Sequence, residues 1–233
     1  MIWKSVSFWT ACVFLTATAP AQIRTVSVEV FGAYTTTSRL YPNQSATDEL
    51  SRDFFVSLDD IFHGGIEIRT LVTPFDLQLG LGTEYLQKTE SITVPVGSSN
   101  LPVTDGYRAI PLELTGYFLP PIGNSHVQMF LGGGIGIYTG ERIYEYAGAT
   151  AQTVERGGGF GIHITGGAEY YFGARWSVRT QLKFRDIEFS STNEFNKTTT
   201  KFEGAIVNLP KGQFSSRFSI DGLNARMGVA YNF

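Results

Sequence analysis

Apolar and polar residues alternate with a period of two at the end of the chain. Every second position from Leu223 onward is apolar or aromatic, whereas the opposite positions include Asn224, Arg226 and Asn232. Such alternation is typical of a β-strand whose two faces meet different surroundings. An uncovered apolar edge strand would promote aggregation of a soluble protein. A closed barrel in a membrane has no free edge and turns its apolar face to lipid. The pattern therefore predicts the last strand of a transmembrane β-barrel.

Seven further segments show the same alternation, which makes eight predicted strands in all. Most are about 12 to 14 residues long, longer than the usual strand of a globular protein. A tilted strand needs about 9–11 residues to cross a bilayer. The predicted strands are residues 25–36, 60–72, 75–87, 107–118, 126–138, 159–172, 176–188 and 218–233. The sequence therefore predicts an all-β, eight-stranded, antiparallel, up-and-down transmembrane β-barrel.

The connections between these strands alternate in length. The short ones are residues 73–74, 119–125 and 173–175, and the long polar ones are residues 38–58, 88–106, 139–157 and 190–216. Barrels of bacterial outer membranes have this asymmetry, with short periplasmic turns and long outer loops. Aromatic residues near both sets of connections predict two interfacial girdles. The girdles include Tyr117, Phe118, Tyr170, Trp176 and Phe233 near the short turns and Tyr34, Tyr85, Tyr107, Tyr138 and Phe160 near the long loops.

The first 21 residues have the features of a secretory signal peptide. Lys4 supplies a positive charge, residues 6–17 are largely apolar, and Ala19-Pro20-Ala21 is a small-residue cleavage site. The alternative is a membrane anchor, but the apolar run is well short of the roughly 20 residues that a spanning helix needs. We therefore expect a cleaved signal peptide, residues 1–21, and one barrel domain, residues 22–233.

Composition narrows the possible chemistry. Cys12 is the only cysteine and lies in the predicted signal peptide, so the mature domain has no disulfide and no thiolate site. The full chain carries 18 basic and 21 acidic residues, and the loss of Lys4 changes the net charge from −3 to −4. That balance lacks the basic footprint of a nucleic-acid-binding protein, and we expect no nucleic-acid partner.

Three of the predicted strands, with the chain terminus, carry a family resemblance. Residues 110–118, 131–138 and 166–172 resemble strands of the small eight-stranded outer-membrane β-barrel superfamily, the type that includes the transmembrane domain of outer-membrane protein A. The resemblance implies a place in the outer membrane of a Gram-negative-type bacterium, in contact with its lipids and lipopolysaccharide. It also implies that the terminal aromatic residues, Tyr231 and Phe233, form the signal that the barrel-assembly machinery recognises.

The face opposite the apolar one carries many charges, which the barrel model places inside. An eight-stranded barrel has an interior that its side chains just fill, and isolated charges there would be costly. We therefore expect a paired charge network that largely plugs the lumen. Its predicted members are Glu29, Glu67, Arg69, Asp76, Glu84, Glu113, Glu169, Arg179, Lys183, Arg185 and Arg226.

A plugged lumen favours a structural or surface-interaction role, in which the long loops meet an unknown extracellular partner. The first alternative is a channel or transporter for small solutes, hydrophobic ones included. The second is a lipid A-modifying enzyme, because His163, Thr165 and Glu169 distantly resemble the His, Ser and Glu of small-barrel lipid A deacylases. Thr165 replaces the serine, however, and His163 shares the charged face, whereas a lipid-cleaving site must face lipid. The histidines lack metal-ligand spacing, and we expect no enzyme activity, metal or cofactor.

Overall fold

The computed structural model describes residues 25–72, 77–96 and 99–233. The predicted signal peptide and Asp76 lie outside these residues. The described elements are β1 (Val26–Thr35), β2 (Arg39–Tyr41), α1 (Glu49–Asp53), β3 (Val56–Ser57), β4 (Ile61–Val72), β5 (Leu77–Val96), β6 (Ser99–Phe118), β7 (Val127–Tyr146), β8 (Ala149–Thr150), β9 (Gln152–Arg156), β10 (Gly158–Tyr171), β11 (Trp176–Glu194), β12 (Thr199–Phe202), β13 (Ala205–Asn208), β14 (Gln213–Ile220) and β15 (Leu223–Asn232).

Eight of these strands form a closed antiparallel ring, in the order β1, β4, β5, β6, β7, β10, β11 and β15. The last strand returns to the first, since Tyr34 on β1 pairs with Ala225 on β15. Within the ring itself every strand pairs with a neighbour on each side, so the membrane-spanning part of the barrel has no open edge. The predicted eight-stranded antiparallel barrel is confirmed.

The exterior of the ring is a belt of exposed apolar side chains. Ile137 is 64 % exposed, and each ring strand contributes residues of the same kind. Members include Val30, Ile66, Leu81, Leu112, Ile137, Ile164, Leu182 and Val229. On β6 the belt runs from Phe118 at the short-turn end to Ile110. This is close to the span of about 9–11 residues that a tilted strand needs to cross a bilayer. An apolar band of this extent on a closed barrel is a lipid-facing surface.

The ring continues past the belt at the end that carries the long connections, the loop end. β5, β6 and β7 each have 20 residues. Segments 88–106 and 139–157, predicted as loops, are largely strand, and that prediction was wrong. The β5–β6 ladder, for example, continues to Val96 and Ser99. Above the belt the outer face meets water instead of lipid, so the outward apolar alternation disappears although the ladder hydrogen bonds persist and inward residues such as Leu101 and Val103 stay buried.

Short strands complete the barrel wall above the belt. β14 follows the line of β15 and pairs with β11, β2 pairs with β14, and β3 pairs with β2. β9 also pairs with β11, whereas the outer part of β7 pairs with β6 and β8. β7 and β9 therefore have no backbone ladder between them, which leaves a seam in the wall above the belt. β12 and β13 form a separate hairpin.

The helix α1 lies in the connection between β2 and β3. Its N-cap is Asp48, whose carboxylate accepts a hydrogen bond of 2.8 Å from the backbone N–H of Ser51. That hydrogen bond lowers the pKa of the Asp48 carboxyl. Within residues 25–72, 77–96 and 99–233, no helix has the length and apolar character needed to cross a membrane.

Candidate functional site in the barrel lumen

Glycines on the inward face make room for large polar side chains in the narrow lumen. A Cβ at Gly80 would overlap the Glu67 carboxylate and lie 2.8 Å from the ring of Tyr117. A Cβ at Gly132 would lie 2.8 Å from the same ring. Tyr117 and the Glu67 carboxylate therefore fill space that a side chain at Gly80 or Gly132 would otherwise occupy.

The first group of buried charges, the Glu29 cluster, lies toward the short-turn end. It consists of three carboxylates and three guanidinium groups, from Glu29, Glu67, Glu169, Arg69, Arg179 and Arg226. Arg226 Nη2 lies 2.7 Å from Glu29 Oε2 and also pairs with Glu67. Arg179 Nε lies 2.9 Å from Glu169 Oε2. Since the formal charges balance, each buried ion has a counterion within the cluster.

Aromatic rings and amides hold the Glu29 cluster in place. The guanidinium carbon of Arg69 lies 3.8 Å from the ring centre of Tyr117 and 4.6 Å from that of Phe130. Arg69 also donates a hydrogen bond of 2.9 Å to the side-chain oxygen of Gln181, on the far wall. Cation–π contacts strengthen when the cation is desolvated, so Arg69 is fixed from several sides.

The second group, the Glu84 cluster, lies farther toward the loop end. Its charged members are Glu84, Glu113, Lys183 and Arg185, again with balanced formal charges. Lys183 Nζ and Arg185 Nη1 each lie 3.2 Å from Glu84 Oε1, and Lys183 also pairs with Glu113. His63 Nδ1 lies 2.9 Å from Glu84 Oε2. The cluster thus connects β4, β5, β6 and β11 across the lumen.

Beyond the Glu84 cluster the lumen is filled by an apolar layer. Its buried members are Leu40, Leu58, Ile61, Leu86, Tyr107, Ala109, Tyr138, Ile187, Phe189, Phe218 and Ile220. Phe189 and Phe218 stack with ring centres 5.0 Å apart, and Tyr107 lies 5.3 Å from Phe218. Close-packed aromatic rings of this kind exclude water as a protein core does.

The two charged clusters meet with almost no space between them. Tyr117, Lys183 and Arg226 are among the residues that line the remaining gap, which has no room for a water molecule. The described lumen is therefore filled in series by the Glu29 cluster, the Glu84 cluster and the apolar layer.

The structure brings ten of the eleven charges named from the sequence into these two clusters, five acidic and five basic. The eleventh, Asp76, is outside the described residues. The predicted network left out neutral partners such as Gln181, and three tyrosines were misplaced. Tyr107, Tyr117 and Tyr138 were predicted in the girdles, but all three are buried in the lumen. Strand parity could have located Tyr117, because it lies four positions after Glu113 and so shares its face.

The residues considered for an enzyme do not form a catalytic arrangement. His163 Nε2 lies 2.8 Å from Thr115 Oγ1, whereas Thr165 Oγ1 donates to the backbone carbonyl of Leu182 at 2.9 Å. Both side chains are buried and inward-facing. In the part of the chain that the structure describes, no group of three or more His, Cys, Asp or Glu side chains could hold a metal ion.

The predicted assembly signal lies at the short-turn end of β15. Phe233 is 68 % exposed, and its ring centre lies 4.9 Å from that of Tyr231. The Tyr231 ring also meets Trp176 at 5.0 Å. The terminal aromatic residues therefore form a small exposed cluster on the outer surface of the barrel.

Comparison with known proteins identifies the fold. No family model matches the chain, and no curated protein matches it. Among solved structures, OprG from Pseudomonas aeruginosa is 12 % identical, with a TM-score of 0.57 over 90 % of this chain and 97 % of that one. A major outer membrane protein from Thermus thermophilus is 13 % identical, with a TM-score of 0.49 over 89 % and 99 %. Neisserial surface protein A is 13 % identical, with a TM-score of 0.47 over 89 % and 97 %. Together with the closed ring and its apolar belt, the similarity to OprG shows that this chain has the fold of the small eight-stranded outer-membrane β-barrels.

Proposed function

We propose that this protein is an integral barrel of the bacterial outer membrane with a closed lumen and a structural, surface-interaction role. The observation that carries the proposal is that packed side chains occupy the lumen at three successive levels. Two balanced ionic clusters and an apolar layer support a barrel that stays closed. A permeating ion would have to displace buried, mutually paired charges and then cross packed aromatic rings, and each step is costly.

The loops supply the surface through which such a barrel would act. Leu50 in α1 is 89 % exposed and Ile206 in the β12–β13 hairpin is 71 % exposed. Phe54 adds a further exposed aromatic beside α1. Leu50, Phe54 and Phe55 lie within six residues of one another and are all exposed, and a local apolar patch of this kind favours contact with another molecule.

Transport and catalysis find less support in the geometry. A transporter for small solutes requires a continuous path, and the described lumen is filled at three successive levels. A lipid-cleaving enzyme requires its catalytic group at the lipid face, whereas His163 and Thr165 both point inward. We therefore assign the protein neither a solute nor a reaction.

Planar-bilayer recording of the refolded protein tests the closed lumen. We expect no stable conductance from the wild type. We also expect none from Phe189→Ala, because the two charged clusters remain beneath the loosened apolar layer. Folding of each sample is checked by the difference in gel migration between unheated and boiled protein. A large, stable conductance from the wild type would overturn the proposal and favour a channel.

A further inference from the structure

The outer surface of the barrel carries a pair of arginines just above the apolar belt, which the lumen proposal does not use. Arg108 on β6 and Arg156 on β9 both bind the carboxylate of Glu141 on β7. Arg156 Nη2 lies 2.6 Å from Glu141 Oε2, and Arg108 binds the other oxygen. One carboxylate is thus shared by two guanidinium groups, and the triad keeps a formal charge of +1.

The triad has a structural role, because it crosses the seam between β7 and β9 where the backbone ladder is absent. That role uses only part of each guanidinium group. The Arg108 side chain is 50 % exposed and that of Arg156 is 60 % exposed, whereas Glu141 is only 7 % exposed. Each arginine binds Glu141 through Nε and Nη2, and a guanidinium group has five N–H donors, so donors remain for a further ligand.

The position of the pair relative to the belt indicates what those donors meet. Arg108 is two residues beyond Ile110 on β6, about 7 Å along the strand. Ile110, Ile137 and Phe160 are all exposed on the same side of the barrel, toward its loop end. The two cations therefore lie where the headgroups begin when acyl chains cover the belt.

Charge and shape together favour one kind of occupant. Guanidinium forks match phosphate oxygens and bind them in pairs, and an apolar surface directly below matches acyl chains. We propose that Arg108 and Arg156 form a binding site for the phosphate of a phosphorylated glycolipid of the outer leaflet, of the lipid A type, whose acyl chains lie against Ile110 and Ile137. The inference rests on the proposed placement in the outer membrane, but it does not depend on a closed lumen.

Native mass spectrometry of the refolded barrel in detergent tests this site. The probes are diphosphoryl lipid A, the same lipid after removal of its phosphates, and inorganic pyrophosphate. For the wild type we expect preferential binding of the phosphorylated lipid, weaker binding of the dephosphorylated form, and negligible binding of pyrophosphate alone. Tight binding of pyrophosphate would instead indicate a plain anion site, and equal binding of the two lipids would exclude the phosphate contact.

Single variants separate the proposed contact from the structural role. Arg156→Gln leaves the Arg108–Glu141 pair intact and should weaken binding of the phosphorylated lipid about fivefold, the loss expected for one exposed charge contact. Arg108→Gln should have a similar effect, and neither variant should change binding of the dephosphorylated lipid. Arg52→Gln is the matched control, because Arg52 is an exposed arginine in α1 that pairs with Asp53 at 3.7 Å.

The outcomes test the lipid site separately from the closed lumen. If both arginine variants retain the wild-type preference for phosphorylated lipid, the site is refuted. If they migrate as folded barrels before heating but lose the preference, the contact is supported. A wild type that conducts ions but shows the lipid preference would overturn the closed lumen and leave the lipid site standing.

Discussion

Removal of Arg226 should destabilise the barrel strongly. Its guanidinium group lies 2.7 Å from Glu29 Oε2, pairs with Glu67, and stands 4.1 Å from the ring centre of Phe31. Arg226→Met keeps most of the side-chain volume but leaves three buried carboxylates facing two guanidinium groups. Breaking a buried pair by the loss of one partner costs about 3–5 kcal/mol. That is a large part of a typical unfolding free energy of about 5–15 kcal/mol.

Urea unfolding of the refolded protein in lipid vesicles, followed by tryptophan fluorescence and by gel migration without heating, measures this loss. Arg226→Met should lower the free energy of unfolding by about 3–5 kcal/mol. The double variant Arg226→Met/Glu67→Gln restores the charge balance and should recover at least about 2 kcal/mol of that loss, which is a coupling expected only between interacting residues. The control Arg52→Met should stay within about 0.5 kcal/mol of wild type, because its ion pair is exposed.

Two results would refute this reasoning. An Arg226→Met barrel within about 1 kcal/mol of wild type would mean that water solvates the cluster, since a hydrated ion pair contributes little. Simple additivity of the two substitutions would mean that Arg226 and Glu67 do not interact energetically.

Two further predictions concern the rim and the terminus. Although burial acts to raise the pKa of the Glu141 carboxyl, hydrogen bonds from Arg156 and Arg108 outweigh it and hold that pKa below its usual range. Because the pKa of Glu141 is lower in the folded protein than in the unfolded one, its ionised form stabilises the fold above the unfolded pKa, and this stabilisation is lost as the pH falls through the folded pKa. Glu141→Gln should therefore reduce the decline in melting temperature below about pH 4.5. A variant whose melting temperature falls with pH as steeply as that of the wild type would contradict this. Deletion of Phe233 should reduce the amount of assembled barrel in cells but not refolding in detergent, because its exposed ring packs on the surface. Phe172→Ala, an exposed aromatic at the same end of the barrel, is the control, and equal defects in cells would count against a terminal signal.

The eight-stranded ring and the division of its residues between inside and outside follow from the sequence alone. Successive side chains of a strand point to opposite faces, so the apolar positions and the charged positions separate wherever one face meets lipid. This is why Glu113 and Arg226 could be placed on the inner face without a structure. The same rule applied to aromatic residues would have placed Tyr117 inside, and grouping it by distance from a turn led to the wrong position.

The tertiary structure alone decides which inward residues meet. Arg69 and Gln181 are 112 positions apart, and their contact depends on the stagger of strands around the closed ring, which no local pattern encodes. The extension of the wall above the belt is likewise a tertiary result, because the β5–β6 ladder persists where the outer face no longer meets lipid and the outward apolar periodicity is lost. The sharing of Glu141 between Arg108 and Arg156 depends on the seam beside β7, where side chains connect two strands that have no backbone ladder between them.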